Sequence, residues 1–296
     1  MELLTGRVLL VINPAARRAA ASLRAALREF RTAGVQCDVL RTERPGHAAE
    51  LVCQRPSECA TVFVLGGDGT VMEVMGALAH SGVAVGILPG GTGNLVARSL
   101  GIPLSIPTAV RRLLGGHPTT MDLGVLDSGR YFAFSAGAGV DARMIAETTA
   151  VRKRTFGTAA YALTALRATL APRPFHVRAV VDGDAVERDA PAVMVANLGG
   201  VMNDLIVLGP GIRSDDGRLD LCLFSPSHRM QALAVGWRLL RKRFDPHPAL
   251  LYRPGRTFRV ECDPPQLYQA DGEILGTTPF EAHVDPGAAT VLIPGA

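Results

Sequence analysis

Apolar residues in the first third of this chain fall in short unbroken runs, and stretches with three- and four-residue spacing separate those runs. Val8 to Ile12, Ala60 to Leu65 and Val83 to Pro89 have the continuous pattern of strands buried on both faces. Ala20 to Arg31, His47 to Gln54, Val71 to His80 and Thr108 to Leu114 have helical spacing instead. Such alternation predicts an α/β domain with a parallel sheet. Near residue 120 the texture changes, and short β-like runs dominate from there on. Met121 to Leu126 and Arg130 to Phe134 flank Asp127-Ser128-Gly129, while Phe175 to Val181 and Ala185 to Arg188 flank Asp182-Gly183-Asp184, a hairpin signal. Val193 to Ala196, Leu219 to Phe224, Thr257 to Glu261 and Thr290 to Ile293 add further strands. Two helical insertions are expected, about Ala142 to Leu170 and His228 to Phe244. The predicted architecture is α/β plus all-β. An N-terminal α/β domain spans 1–120, and a C-terminal β-sandwich domain with helical insertions spans 121–296, its extreme carboxyl end able to return to the first domain.

The strand at Ala60 to Leu65 runs straight into Gly66-Gly67-Asp68-Gly69-Thr70 and then into a helical pattern. A buried strand that ends in a glycine turn and opens a helix leaves backbone N–H groups aimed at one place, and that place attracts phosphate. Asp68 is the unusual member, because a carboxylate in a phosphate cradle is repulsive unless a divalent cation lies between them. A second strand, Val83 to Pro89, is followed by Gly90-Gly91-Thr92-Gly93-Asn94 before the helix-like Leu95 to Leu100. A third, Val8 to Ile12, ends in Asn13-Pro14. In an open α/β sheet, ligands sit outside the carboxyl ends of the strands, where all three turns would lie. Neither G-x-G-x-x-G after the first strand nor G-x-x-x-x-G-K-[ST] is present, so the first domain is Rossmann-like and nucleotide-binding without being a dinucleotide site or a P-loop.

These segments together resemble the diacylglycerol kinase catalytic family, which includes sphingosine and ceramide kinases and bacterial soluble lipid kinases. The resemblance is carried by Asn13-Pro14, Thr42 with Gly46-His47-Ala48, Gly66 to Thr70, Gly91 to Asn94, Asp215 to Asp220, and Asp271-Gly272-Glu273, in the family's order. Gly-Gly-Asp-Gly-Thr alone also occurs in NAD kinases and phosphofructokinases. The Gly-Thr-Gly-Asn turn and the late Asp-Gly-Glu favour the lipid branch. Many bacterial members follow that asparagine with Asp, whereas this chain has Leu95.

The resemblance implies an ATP- and Mg2+-dependent lipid kinase with its site in a cleft between the domains. It makes Asp271 the general base for the lipid hydroxyl, with Glu273 orienting it or contacting metal water from the same side of a strand. Asp68 would act through the catalytic cation. Asn13, Thr42, Gly66, Gly67, Gly69, Thr70, Gly91, Thr92 and Asn94 would contact ATP. Asp216 resembles a structural magnesium ligand, completed by the backbone carbonyls of Arg213 and Arg218, and that ion would be tied to Asp68 through water. Locally, Asp271-Gly272 reads equally as a hairpin turn, and Asp215-Asp216-Gly217 as a turn before a strand. His47, at a helix start, reads as structural.

Composition narrows the class without naming the acceptor. The chain has 296 residues, 48% of them hydrophobic, enough to bury one or two cores. No apolar stretch reaches the ~18 residues of a membrane span, and no leader pattern opens the sequence, so a cytoplasmic protein, peripheral at the inner face of the membrane, is expected. Five cysteines without C-x-x-C spacing read as reduced thiols. A net charge of +4 favours anionic surfaces, and no nucleic-acid motif accompanies it. Met230 to Phe244 places Met230, Leu233, Trp237, Leu240 and Phe244 at helical intervals beside Arg238, Arg241, Lys242 and Arg243. That is either a helix lying on an anionic membrane or a core-packed helix with a charged end. Arg152-Lys153-Arg154 is a second basic cluster that either faces head groups or is simply solvated. An edge strand of the β domain is able to pair two chains into a homodimer. The rival readings are a NAD kinase-like enzyme, disfavoured because Ala146-Glu147 replaces the Asn-Glu pair used for the acceptor ribose, and a nucleotide-binding regulator without turnover.

Overall fold

The computed structural model describes residues 7–15, 19–54, 61–139, 174–201, 206–243 and 245–295. The expected helix over about Ala142 to Leu170, the Ala146-Glu147 pair, Arg152 to Arg154, Cys59 and Phe244 lie outside them. The chain divides into two units, one made of 1–121 with 287–296 and the other of 122–286.

The first unit alternates strands and helices: β1 (Arg7–Ile12), α1 (Ala19–Thr32), β2 (Gln36–Arg41), α2 (His47–Cys53), β3 (Thr61–Gly66), α3 (Asp68–Ala77), β4 (Ala84–Pro89), α4 (Leu95–Ser99) and α5 (Ile106–Leu114). The sheet is parallel in the order β2-β1-β3-β4. β3 and β4 are buried along their whole length, which is why they read as unbroken apolar runs. α1 packs on α5, and α2 packs on α3. Phe30 of α1 meets Phe63 of β3 edge-on, with ring centroids 4.8 Å apart and planes at 70°, and both rings are fully buried. The Phe63 ring occupies the space above Gly86 of β4, where a Cβ would come within 2.5 Å of it.

The second unit is an antiparallel β sandwich. It is built from β5 (His117–Leu126), β6 (Tyr131–Phe132), β7 (Ser135–Gly139), β8 (Phe175–Val181), β9 (Asp184–Ala190), β10 (Ala192–Ala196), β11 (Gly200–Val201), β12 (Ile206–Val207) and β13 (Leu219–Phe224). These are followed by α6 (Arg229–Leu240), β14 (Leu250–Gly255), β15 (Thr257–Asp263), β16 (Leu267–Ala270), β17 (Glu273–Thr277) and β18 (Phe280–Ile293). One sheet runs β14-β13-β10-β7-β16-β17; in the other, the first half of β18 pairs β15, then β8 and β9 follow. Their inner faces share a core that includes Phe132, Phe175, Val193, Leu221, Phe258 and Phe280. β8 alternates buried and exposed residues, the period of a strand with one face in the core. The chain passes between units twice, within β5 and within β18. Beyond Gly287, β18 pairs parallel with β4, Thr290 against Ala84 and Val291 against Val85.

Gly86→Ala will lower stability by about 1–3 kcal/mol, because the added methyl overpacks against Phe63. The loss will shrink in a Phe63→Leu background. Urea midpoints of the two single variants and the double variant measure that coupling, and strict additivity would refute the contact.

Candidate active site

Strand order places the first half of the site. In a sheet ordered β2-β1-β3-β4 the chain direction of sequence reverses between β1 and β3, so a crevice opens at their carboxyl ends. Asn13 and the Gly66 to Thr70 turn are the residues found there. Asn13 Nδ2 donates to Thr70 Oγ1 at 3.3 Å, and Asn13 Oδ1 accepts the Ala15 N–H at 2.9 Å, so the amide ties the two strand ends together. Thr42, buried after β2, donates its N–H to the Ile12 carbonyl. Gly67 caps α3, whose first-turn N–H groups include those of Gly69 and Thr70. The Val71 N–H donates to the Gly67 carbonyl, closing the first turn of the helix.

The turn after β4 lies directly on this one. Gly90 N–H donates to the Gly66 carbonyl at 2.8 Å, and a Cβ on Gly91 would stand 2.6 Å from the Gly67 Cα. Gly66 has no more room, since a Cβ there would meet the Thr70 Cβ at 2.8 Å. Asn94 takes a left-handed backbone (φ 50°) and uses both ends of its amide on Gly91, accepting its N–H at 2.8 Å and donating to its carbonyl at 2.9 Å. It therefore shapes the turn from inside, while Thr92 stays exposed at the tip. Asp68 Oδ1 accepts the Val96 N–H at 3.3 Å, and Oδ2 lies 3.0 Å from where a Gly93 Cβ would be. Burial pushes its carboxyl above the usual range, against the pull of the Val96, Leu95 and Asn94 N–H groups. His47 is structural: its Nδ1 accepts the Glu43 N–H at 3.1 Å. Glu73 completes that corner by accepting the Gly46 and Ala48 N–H groups at 2.9 and 3.1 Å.

The second unit holds the other candidates. Asp271 and Gly272 form the hairpin between β16 and β17, both at positive φ (47° and 87°), the combination a two-residue Asp-Gly turn favours. The Asp271 carboxylate also reaches the segment between β6 and β7. Oδ2 accepts the Ala133 N–H at 2.7 Å, and Oδ1 accepts those of Phe134 and Ser135 at 2.9 and 3.0 Å. Three backbone donors on one carboxylate fix its orientation against the segment between β6 and β7. The expectation that Glu273 faces the same side from a continuous strand is corrected by this turn. Asp271 lies outside the strand, and Glu273 begins β17 paired with Arg130. A second Asp-Gly hairpin behaves alike: Asp182 accepts the Arg256 and Thr257 N–H groups at 2.9 and 2.8 Å.

Asp216 Oδ1 accepts the Arg218 N–H at 3.0 Å in an exposed turn. The Arg213 guanidinium grips Asp215, at 2.8 Å from Nε and 2.9 Å from Nη2. Among the described residues no group of three or more His, Cys, Asp or Glu side chains gathers as a metal cluster. A cation at Asp216 would thus rely on one carboxylate with backbone carbonyls and water. Asp220, almost buried in β13, has its carboxyl raised to about 6 by burial and then by the Asp216 charge, with Arg218 opposing.

Two residues that sequence reasoning missed connect Asp271 to this loop. Asn197, fully buried just after β10, donates to the carbonyls of Asp122 (2.8 Å) and Ala133 (2.9 Å). Asp122 in turn accepts the Gly217 N–H at 2.7 Å and donates its own N–H to the Ser214 carbonyl. The available signal was a polar residue ending an apolar strand and followed by Leu198-Gly199-Gly200, the same grammar as the glycine turns of the first unit.

Comparison with known proteins agrees with this geometry. Residues 7–126 match the diacylglycerol kinase catalytic domain, and residues 135–293 match the YegS C-terminal NAD kinase beta sandwich-like domain. Proteins named diacylglycerol kinase from Staphylococcus epidermidis and Staphylococcus aureus are 25% and 26% identical over 268 residues, covering 88% of this chain and 84% of theirs. An uncharacterized protein of Synechocystis sp. is 29% identical over 238 residues; the match takes in 79% of this chain and about half (54%) of that relative's length. The crystal structure of a candidate diacylglycerol kinase from Bacillus anthracis str. Sterne superposes with a TM-score of 0.83 at 25% identity, over 97% of this chain and 96% of that one. These matches, on a fold with glycine turns in a parallel α/β half and an antiparallel β half, define a two-unit protein of the kinase class. The chain belongs to the diacylglycerol kinase family.

Asp182→Asn and Asp271→Asn will each cost about 1–3 kcal/mol in urea unfolding, because an amide NH2 cannot accept the backbone N–H that the lost oxygen held. A neutral result at both positions would mean that the carboxylates do not hold these loops. Asp220 titrates with the opposite sign. Its native value of about 6 exceeds the unfolded carboxyl's ≈ 3.9, so its stabilising contribution is complete below about pH 4 and is lost as pH rises through about 6. In EDTA, Asp220→Asn will therefore be more stable than the parent at about pH 8, with the gap closing toward about pH 4. A gap independent of pH would exclude the shift.

Proposed function

We propose that this protein is an ATP- and magnesium-dependent lipid kinase that transfers the γ-phosphoryl group of ATP to a hydroxyl of diacylglycerol or a sphingoid-type lipid presented at a membrane surface. The observation that carries this reading is the Gly67–Gly91 contact, where two strand-end turns touch backbone to backbone beside the half-buried Asp68. Glycine there lets phosphate oxygens reach N–H groups that any side chain would cover. Gly66, Gly67, Gly69, Thr70, Gly91 and Thr92 line the phosphates, while Asn13, Thr42 and Asn94 hold the turns that do so.

The acceptor hydroxyl attacks the γ-phosphorus, forming the new O–P bond as the bond to the β-phosphate oxygen breaks and ADP leaves. The hydroxyl proton passes to Asp271, whose carboxylate the N–H groups of Ala133, Phe134 and Ser135 hold in place. Magnesium, when bound, neutralises phosphate charge. Asp68 suits such a cation because its burial otherwise disfavours the carboxylate. Asp216 with the carbonyls of Arg213 and Arg218 suits one because Asp220 presents a second negative charge to it. The β-sandwich model's relation to NAD kinases makes soluble NAD the rival acceptor.

The test is transfer of labelled γ-phosphate from ATP, with magnesium or EDTA, to diacylglycerol, monoacylglycerol, sphingosine, ceramide and NAD. Labelled lipid is expected, and Gly91→Ala will reduce its formation on the order of 10²-fold by displacing the phosphate turn. Asp271→Asn will reduce it by roughly 10²–10⁴-fold, while Asp182→Asn, matched in stability loss, will leave it unchanged. Labelled NADP would transfer the protein to the rival reading. ATP binding without any product would make it a regulator.

A further inference from the structure

α6 is apolar on two opposite faces, and among the described residues only one of them is packed. Val235 and Leu239 pack inward with Phe224, Ala249, Leu250 and Tyr252, and Ala232 is buried on the same face. Met230, Leu233 and Trp237 point the other way and are 70%, 39% and 59% exposed. At 100° per residue these three and Arg241 fall within an arc of about 80°, a continuous outward stripe. The helix start is fixed: His228 Nδ1 accepts the Gln231 N–H at 3.3 Å, and Gln231 Oε1 accepts the Ser227 N–H at 2.6 Å. The stripe is thus held outward by a capped, packed helix.

Charge identifies what covers it. Residues 229–243 carry Arg229, Arg238, Arg241, Lys242 and Arg243 and no acidic side chain. Arg238 is engaged by Asp245, while Arg229, Arg241, Lys242 and Arg243 are exposed around the stripe. The Arg241 guanidinium lies 4.6 Å from the Trp237 ring centroid, so a cation is stationed beside the aromatic. A second copy of the chain would bring the same cations against these, a repulsive pairing. An anionic bilayer complements both parts, since tryptophan favours the interface between acyl chains and head groups and the cations meet lipid phosphates.

We propose that the outer face of α6 is the membrane-docking surface, lying in the plane of an anionic leaflet with Met230, Leu233 and Trp237 inserted and Arg229, Arg241, Lys242 and Arg243 on the head groups. The proposal gives the lipid-kinase reading its membrane partner and rests on that reading for its purpose, although binding itself is measured separately.

Trp237 is the only tryptophan in the sequence, so its fluorescence reports this face without a label. Vesicles of phosphatidylglycerol with phosphatidylcholine will shift its emission to shorter wavelength, and bromo-acyl lipid will quench it. Pure phosphatidylcholine will act far more weakly, and high salt will reverse much of the shift. In a vesicle co-sedimentation assay, Lys242→Gln with Arg243→Gln will weaken binding by roughly fivefold per charge. Met230→Ser with Leu233→Ser will abolish binding at the same urea midpoint as the parent. Unchanged emission of the parent with anionic vesicles, or variants that bind as the parent does, would overturn the proposal. So would an emission shift that follows protein concentration alone and coincides with a dimer in light scattering. Turnover of a water-soluble short-chain diacylglycerol separates the two readings. Variants that keep it while losing activity on vesicle-borne lipid support both readings. Vesicle binding through α6 with no lipid phosphorylated would retain this proposal and reject the kinase reading.

Discussion

Everything in the first unit is arranged around one steric constraint, the contact of two backbones at the ends of β3 and β4. Gly91 meets Gly67 so closely that a Cβ on Gly91 would stand 2.6 Å from the Gly67 Cα, and Gly90 N–H closes on the Gly66 carbonyl across the same seam. Backbone can approach backbone this closely only if the strands beneath are in fixed register, which the unbroken burial of β3 and β4 and the Phe63 ring over Gly86 provide. The helices that leave the two turns then have no freedom in their starting points. Asp68 begins one helix and holds the Val96 N–H at the beginning of the other. The geometry of these paired turns is a by-product of core packing as much as of loop sequence.

The second unit shows how one hairpin carboxylate organises the backbone around it. Asp182 and Asp271 sit at equivalent places in Asp-Gly hairpins and both reach across to neighbouring backbone N–H groups, yet only Asp271 falls in a segment tied to a second loop. Through Ala133, Asn197 and Asp122, its position is coupled to the turn that carries Asp216. A carboxylate placed by three backbone donors and braced by a buried amide is oriented by the fold itself, and under the proposed reading that orientation would preorganise it for phosphoryl transfer.

Much of this was legible in the sequence where local physics decides. Continuous apolar runs gave β1, β3 and β4, and glycine turns marked the strand ends. Legibility failed where tertiary context overrides local signals. β7, Ser135–Gly139, consists of small residues with little strand preference, yet it runs through the middle of its sheet because Ala136 and Ala138 are fully buried there. α3 begins at Asp68, ahead of the apolar spacing that starts at Val71, because the glycines of its first turn carry no pattern. Only the end of β18, Thr290 to Ile293, was foreseen; the strand runs from Phe280 through Pro286-Gly287, with Gly287 at φ 62°, where the chain passes from one unit to the other. Glu273 misled because period-two reasoning assumes a strand where the chain makes a turn. Asn197 and Asp122 escaped notice because their roles exist only through contacts distant in sequence.

The return of β18 to β4 makes the second unit an insertion within the first. On the ribosome, β1 to β4 emerge early, but the strand that completes their sheet follows only after the whole sandwich has been synthesised. Until then, the flank of β4 that β18 later pairs is an unfinished edge, open to pairing with any extended chain nearby. The sandwich between Asp122 and Pro286 therefore acts as a delay line: an error in folding it withholds the final strand from the glycine-turn unit, so a damaged β half is reported as an incomplete α/β half.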